Sequence, residues 1–201
     1  MININPEEDR EFQDMYHAFH DKIHRHLARL LGEHEAEDVT QEVFLKASRA
    51  LHSFEGKSQI STWLFRIATN AAIDRLRSKS DRNTIAGDDL SGAAEEEGDW
   101  AVEESASAEQ AVIQKEMNNC IRDIVDTLPE NYRVVLSLSE LEEFSNREIA
   151  EITGASLETV KIRLHRARRA LKKKLSLACD FYRNEQNEFA CDRKKRLINL
   201  P

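Results

Sequence analysis

Proline and glycine, the residues that most often interrupt regular structure, are scarce in this chain of 201 residues, which has three prolines and six glycines. Segments in which β-branched residues alternate with polar ones, the usual pattern of a half-buried strand, are almost absent. Apolar residues instead recur at spacings of three and four along much of the sequence, as they do in amphipathic helices. The sequence therefore predicts an all-α fold.

Cysteines and long apolar runs are also few, which restricts the class of protein. Three cysteines, at 120, 179 and 191, are too few for a disulfide scaffold and suit a reducing compartment. No run of about 18 apolar residues is present, so no membrane insertion is expected. The first residues are acidic, whereas a signal peptide is basic and then apolar. We therefore expect a cytoplasmic protein.

Charge is segregated along the chain, whose net charge is −8. Between Asp88 and Glu109 there are nine acidic residues and no Lys or Arg. Between Lys161 and Lys174 there are eight Lys or Arg and no Asp or Glu. The acidic stretch has no sustained period, which predicts a flexible linker over 81–107. The basic stretch predicts nucleic-acid binding, because local charge decides where phosphate binds.

Two short helices joined by a glycine turn are predicted at this basic stretch. Ser145 and Glu148 form a capping box that begins one helix, and Gly154 supplies the left-handed conformation that ends it. Ser156 caps the next helix, which has one apolar stripe formed by Leu157, Val160, Leu164, Ala167, Leu171 and Leu175. A calmodulin target or a membrane-surface helix is also basic and amphipathic, but neither explains the capped helix before it. The pattern predicts a helix-turn-helix whose second helix enters the DNA major groove.

The sequence divides into two small helical domains joined by the acidic linker. The N-terminal domain, 8–80, is predicted to contain three helices, the first closed by Gly32. The C-terminal domain, 108–176, is predicted to contain four helices, the last two being the helix-turn-helix. Residues 177–201 form a basic tail with two cysteines. Histidines crowd the first helix and its end, where we expect an exposed surface: His17, His20, His24, His26 and His34.

Three segments resemble the bacterial RNA polymerase sigma factors. Ala36–Ala47, AEDVTQEVFLKA, looks like the polymerase-binding helix of that family, and Phe54–Arg77 is similar to its promoter-melting segment. Leu128–Leu175 resembles region four, with the opening LPENYR and the recognition helix ETVKIRLHRARRAL. The small size matches the extracytoplasmic-function (ECF) group, which keeps only regions two and four.

The resemblance implies a transcription initiation factor that is not an enzyme and requires no cofactor. It implies binding to core RNA polymerase and recognition of the minus-ten and minus-thirty-five promoter elements. The DNA partner is double-stranded promoter DNA and its melted single strand. Members of the family are often held inactive by an anti-sigma protein, so the resemblance also suggests such a protein as a partner.

The resemblance also assigns residues to three surfaces. The residues that share one helix face and match the polymerase-binding helix are Asp38, Gln41, Glu42 and Leu45. The residues that match the minus-ten surface are Lys57, Ser58, Trp63, Asn70, Arg75 and Arg77. The residues that match the minus-thirty-five surface are Lys161, Arg163, His165, Arg166 and Arg169. In such a helix arginine is the usual reader of guanine, and we expect Arg168, Arg169 and Lys172–Lys174 to bind phosphate. For Trp63 a place in the core is the alternative.

Other functions stay open at this point. The first alternative is a free-standing helix-turn-helix transcription regulator that never engages polymerase, and the second is an adaptor whose basic helix binds an acidic partner. A DNA-binding enzyme is disfavoured because no metal cluster, nucleophile motif or glycine-rich phosphate loop is visible. His20 and His24 have a metal-ligand spacing. Cys179 and Cys191 are either candidates for metal binding or redox sensing or simply reduced thiols, and their spacing matches no common zinc motif.

Overall fold

The computed structural model describes residues 6–85, 108–183, 187 and 189–194. In this part of the chain it contains seven α-helices and one β-hairpin. In chain order they are α1 (Pro6–Leu31), α2 (Glu33–Ala50), α3 (Ile60–Ile85), α4 (Ala108–Asp126), α5 (Glu130–Leu136), α6 (Asn146–Thr153), α7 (Leu157–Ala178), β1 (Cys179–Arg183) and β2 (Phe189–Arg193). The predicted all-α class is confirmed. Most of the predicted acidic linker, 86–107, lies outside the described residues.

The helices belong to two compact units, neither of which is a single stretch of sequence. The first unit combines α1, α2 and α3 with the segment Val134–Lys161, which carries α6 and the beginning of α7. The second unit combines the segment that contains α4 with the chain from Ile162 onward, including the hairpin. None of the helices in the described ranges is long and apolar enough to cross a membrane.

Apolar residues at helical spacing form the core of the first unit. Ile23 and Leu27 of α1 are fully buried, as are Val43 of α2 and Leu64 of α3. Gly32 separates α1 from α2 with a φ of 89°, a positive value that glycine adopts without strain. The predicted break at Gly32 is confirmed. Helix α3 continues to Ile85, so residues 81–85, predicted as the start of the linker, are helical instead.

The segment that follows α5 also belongs to this core. The chain makes a π-helical turn at Ser137–Leu141, where Leu138 is fully buried. Phe144 then packs edge-on against Phe65 of α3, with ring centroids 4.9 Å apart. Side chains from distant parts of the sequence therefore share one apolar interior.

His26 is part of that interior, so the prediction that its side chain is exposed is wrong. The side chain is fully buried, with its Nε2 atom 3.1 Å from the Thr69 hydroxyl and its Nδ1 atom 3.3 Å from the Ser137 hydroxyl. A neutral imidazole has one N–H donor and one acceptor nitrogen, so it can satisfy both hydroxyls. Burial, reinforced by the charge of Arg29, lowers the pKa of His26 to about 3. The histidine is thus a neutral core residue.

The turn between α6 and α7 forms as the sequence predicts. The Ser145 side chain accepts a hydrogen bond from the Glu148 amide, and the Glu148 carboxylate accepts one from the Ser145 amide. Gly154 ends α6 in the left-handed conformation, with a φ of 64°. The Thr159 amide then donates to the Ser156 hydroxyl at 3.1 Å, which caps α7. These local signals fix both helix ends independently of the rest of the molecule.

The tail forms a hairpin that was not predicted from the sequence. Strands β1 and β2 are antiparallel, with Cys179 opposite Arg193 and Phe181 opposite Cys191. The Lys194 amide donates to the Ala178 carbonyl at 2.8 Å, and its Nζ donates to the Ser176 carbonyl at 2.8 Å. These carbonyls lie in the last turn of α7, where no later amide of the helix is available to donate a hydrogen bond to them. The hairpin therefore caps the basic helix.

Candidate polymerase and nucleic-acid interfaces

Helix α2 presents a polar face with one apolar residue on it. Its opposite side, which includes Val39, Val43 and Ala47, is buried in the core of the first unit. The four residues predicted to bind polymerase are all exposed and lie together: Asp38, Gln41, Glu42 and Leu45. The Leu45 side chain is 57% exposed although it is apolar. Two carboxylates around an exposed leucine suit a partner with a basic rim and an apolar centre.

A groove of about 830 Å³ runs beside this face between α1 and α2. Tyr16 and Phe44 meet edge-to-face in it, with ring centroids 4.8 Å apart, and His20 stacks on Phe44 at 5.8 Å. Gln41 and Leu45 belong to its lining as well. The aromatic wall and the exposed face of α2 therefore form one continuous surface, of which the sequence predicted only the α2 part.

Helix α3 carries an exposed stripe on which three of the six predicted minus-ten residues lie. Asn70 and Arg77 are exposed, and Trp63 is half-buried. Arg66 is exposed too and lies on the same stripe, three residues after Trp63 and four before Asn70. Arg66 was not among the residues predicted from the sequence, although that spacing alone would have identified it.

Arg75 is separated from this stripe. Its Nε atom lies 3.9 Å from a carboxylate oxygen of Glu35 on α2, so its side chain is directed toward the neighbouring helix. Of the predicted minus-ten residues on α3, three therefore lie on the stripe, and one, Arg75, pairs with another helix inside the first unit.

The loop before α3 holds the other two predicted minus-ten residues. Gly56 adopts a φ of 65°, Lys57 forms an exposed ion pair with Glu55, and Ser58 is half-buried. Phe54 packs against Trp63 with ring centroids 5.2 Å apart, which fixes the loop against the start of α3. Trp63 therefore has one side packed and another accessible, intermediate between the core role and the DNA-contact role considered for it.

The exposed face of α7 is basic but has an apolar residue at its centre. Ile162 is 42% exposed. The residues three, four and seven positions further on, which lie on the same face, are His165, Arg166 and Arg169, all exposed. Lys161 is exposed beside them, whereas Arg163 is half-buried at the edge of the helix. The structure thus brings four of the five predicted residues together, sets Arg163 apart and adds Ile162.

Lys174, expected from the sequence to hold phosphate, has another role. Its Nζ donates to the Thr127 hydroxyl at 2.6 Å and to the Thr127 carbonyl at 3.2 Å, just after α4. The amine is occupied in joining α7 to the end of α4. Lys172 and Lys173 remain exposed for phosphate contacts.

The suspected metal ligands lie in two places. His20 and His24 stack at 6.4 Å, and each approaches a carboxylate: His20 is 3.0 Å from Asp21, and His24 is 3.6 Å from Glu33. Cys179 and Cys191 lie on the hairpin, and Cys179 approaches Cys120 of α4. Among the residues that the structure describes, no group of three or more His, Cys, Asp or Glu side chains is arranged to hold a metal ion.

Comparisons with known proteins identify the family. The family model of Sigma-70 region 2 matches residues 15–82, and that of Sigma-70, region 4 matches residues 118–171. The chain is 38% identical over 170 residues to the ECF RNA polymerase sigma factor SigW of Bacillus subtilis, which covers 82% of this chain and 88% of that protein. It is 32% identical over 168 residues to the ECF RNA polymerase sigma-E factor of Escherichia coli K12, with 84% and 88% covered.

Solved structures of similar fold agree with this result. The sigma factor RpoE of Bartonella quintana, crystallised with the anti-sigma factor NepR, has a TM-score of 0.66 at 22% identity and covers 84% of this chain and 98% of that one. CnrH, solved with the cytosolic domain of CnrY, has a TM-score of 0.58 at 24% identity, with 84% and 90% covered. Because both regions match in the expected order and the relatives cover most of the chain, this protein belongs to the ECF sigma factors of RNA polymerase.

Proposed function

We propose that this sigma factor engages core RNA polymerase through the exposed face of α2, the minus-ten element through α3 and the minus-thirty-five element through α7. The proposed working parts are 8–80 for polymerase binding and promoter melting, 81–107 as an acidic linker and 108–176 for DNA binding, with 177–201 as a tail. The main support is that one chain presents two distinct surfaces. One is the basic exposed face of a capped helix-turn-helix, and the other is an exposed leucine among carboxylates. The chain works in the cytoplasm with polymerase and has no catalytic activity of its own.

Polymerase binding is assigned to Asp38, Gln41, Glu42 and Leu45. An exposed leucine contributes apolar area at the centre of an interface, and the surrounding carboxylates pair with arginines that fix the register. The coiled coil of the polymerase clamp is the proposed partner. The aromatic groove between α1 and α2 would extend the same contact area.

Promoter melting is assigned to the exposed stripe of α3. An aromatic ring such as Trp63 offers a stacking surface for an unpaired base, and Asn70 offers an amide for hydrogen bonds to a base edge. Arg66 and Arg77 supply charge to the displaced strand. Lys57 and Ser58, in the loop next to the stripe, would contact the same strand, and Arg75 would support it from the neighbouring face.

Minus-thirty-five recognition is assigned to the exposed face of α7. Arg166 would read guanine, and the exposed Ile162 would make an apolar contact with a thymine methyl group. His165 and Lys161 flank them, and Arg169 with Lys172 and Lys173 would bind phosphates. Arg163, at the edge of the face, would contact the backbone rather than a base.

An anti-sigma protein is a further proposed partner. Its support is the pair of structures of similar fold that were solved with an anti-sigma factor or with a cytosolic partner domain. Co-purification of the chain with candidate membrane-anchored regulators, and loss of transcription when one is added, would test this assignment.

The function is tested by transcription in vitro from pooled genomic fragments, with purified bacterial core polymerase and with or without the protein. Transcripts that appear only with the protein and share an upstream sequence are the expected result. Sequence-specific DNA binding without any core-dependent transcript would favour the free-standing regulator. Binding of an acidic protein without DNA binding would favour the adaptor.

A further inference from the structure

Three thiols from three separate elements meet in the second unit. The Sγ atoms of Cys120 on α4 and Cys179 at the start of β1 lie 3.3 Å apart, although 59 residues separate them in sequence. The Cys191 thiol, on β2, also interacts with the thiol of Cys179. All three cysteines are free, and Cys179 is buried with only 2% of its surface exposed.

The surroundings hold these thiols in place. Arg193 lies opposite Cys179 in the hairpin, and its guanidinium is 3.4 Å from a carboxylate oxygen of Asp123 on α4. Lys194 is bound to the end of α7, as described above, and its Nζ lies 3.1 Å from the Asp180 carboxylate. The hairpin is therefore fixed both to α4 and to α7, and the sulfur atoms stay close in the folded protein.

We propose that Cys120 and Cys179 form a reversible disulfide that braces the C-terminal end of the basic helix α7 against α4. A disulfide has an S–S length of about 2.05 Å, so the two sulfurs need to approach by only about 1.3 Å. Because this shift is small, the oxidised protein keeps its fold. The bond therefore acts as a brace that strengthens the DNA-binding domain under oxidising conditions, and it leaves promoter binding intact.

The oxidant is a peroxide, and the step balances in atoms and electrons. One thiol loses its proton and its thiolate sulfur attacks a peroxide oxygen. The O–O bond breaks, a sulfenic acid forms, and the departing hydroxide takes up that proton and leaves as water. The second thiol attacks the sulfenic sulfur, the S–S bond forms and a second water leaves. Two thiols are oxidised by two electrons, and hydrogen peroxide is reduced to two waters. A dithiol reductant reverses the step by thiol–disulfide exchange.

The Cys120 thiol is not an activated one, so its reaction with peroxide is slow. Burial raises the pKa of Cys120 and that of Cys191, so both are protonated at neutral pH. The short Sγ–Sγ distance, rather than activated thiolates, is what favours the bond. We therefore expect slow oxidation by peroxide to a single defined product.

The test compares the full-length protein with Cys120→Ser, Cys179→Ser and Cys191→Ser after treatment with excess hydrogen peroxide. Free thiols should fall from three to one in the wild type and from two to none in Cys191→Ser, and stay at two in the other variants. Peptide mapping without reductant should link the peptides of Cys120 and Cys179. The oxidised wild type and the oxidised Cys191→Ser variant should each unfold at a temperature at least about 5 °C above that of the reduced protein. Dithiothreitol should abolish this difference.

Several outcomes would overturn the proposal. These are a link between Cys179 and Cys191, equal thiol loss in Cys120→Ser and wild type, and loss of promoter binding on oxidation. Stoichiometric binding of Zn²⁺ that protects all three thiols from oxidation would assign the cluster to metal instead. Should the buried Cys179→Ser variant fail to fold, the comparison between Cys120→Ser and Cys191→Ser still decides, because both positions are only half-buried.

Discussion

The Arg29 guanidinium donates to the Glu142 carboxylate across a sequence separation of 113 residues. Arg29 lies on α1, and Glu142 follows the π-helical turn. Both side chains are largely buried, with 19% and 11% of their surfaces exposed. Burial raises the pKa of Glu142 by more than the charge of Arg29 lowers it. The pair therefore joins distant segments of the first unit without fully offsetting the cost of burying the carboxylate.

The two partners of this pair should respond unequally to substitution. Arg29→Met leaves a buried carboxylate without its cation, and we expect it to cost roughly 1–3 kcal/mol of unfolding free energy, between the values of exposed and buried pairs. Glu142→Gln removes the charge that is costly to bury, and we expect a loss below about 1 kcal/mol. Urea unfolding at neutral pH measures both. Equal losses would show that the Coulomb attraction, not burial of the carboxylate, dominates.

His26 should make the protein less stable in mild acid. Its pKa is about 3 in the folded protein, against about 6.5 when unfolded, so the unfolded state binds more protons between these values. Its stabilising contribution is complete above pH 7 and declines as pH falls through 6.5. Between pH 7.5 and 5 the loss attributable to this residue is about 2 kcal/mol.

The variant His26→Gln isolates that contribution, because glutamine keeps hydrogen-bonding groups and does not titrate in this range. Its unfolding free energy should depend less on pH than that of the wild type by about 2 kcal/mol between pH 7.5 and 5. His34→Gln is the matched control, since His34 is exposed. Parallel pH profiles for wild type and His26→Gln would contradict a neutral core histidine.

Leu45 should contribute to polymerase binding and not to folding. The side chain is 57% exposed, so Leu45→Ala should change the unfolding free energy by less than about 0.5 kcal/mol. The variant should bind core polymerase more weakly by about 1–2 kcal/mol of binding free energy, as expected when a central apolar contact is lost. Lys46→Ala, at the edge of the same exposed face, is the control. Unchanged affinity of the Leu45 variant would remove this face from the interface.

Arg166 and Lys172 should differ in the kind of binding that they support. Arg166→Ala should weaken the cognate minus-thirty-five element by about 1–3 kcal/mol and relax preference at one base pair. Lys172→Ala should weaken all DNA sequences alike and reduce the salt dependence of binding. Titrations of each variant with cognate and scrambled duplexes at two salt concentrations separate these effects. A uniform loss for Arg166→Ala would reject a base-reading role.

Local signals explain why some parts of the fold were predictable. The capping box at Ser145 and Glu148, the left-handed Gly154 and the break at Gly32 each depend on residues within one helical turn. The exposed face of α2 follows from the spacing of its polar residues. Periodicity did not separate Arg163 from the other recognition residues, because it lies where the exposed and buried faces of α7 meet.

The hairpin at the end of the chain was not predictable in the same way. Its strands are five residues each, and no strict alternation distinguishes them from loop. They are held by contacts with other elements, such as the ion pair between Arg193 and Asp123. A segment whose structure depends on its neighbours carries a weak signal of its own.

By itself, the sequence determined the helical class, the helix ends around the DNA-binding turn and the resemblance to sigma factors, since each rests on residues close together in the chain. Only the tertiary structure decided which distant side chains meet. It buried His26 against Thr69, 43 residues away, and brought Cys120 to Cys179, 59 residues away. Such contacts depend on how whole helices pack, and the pattern of any single helix is compatible with many packings.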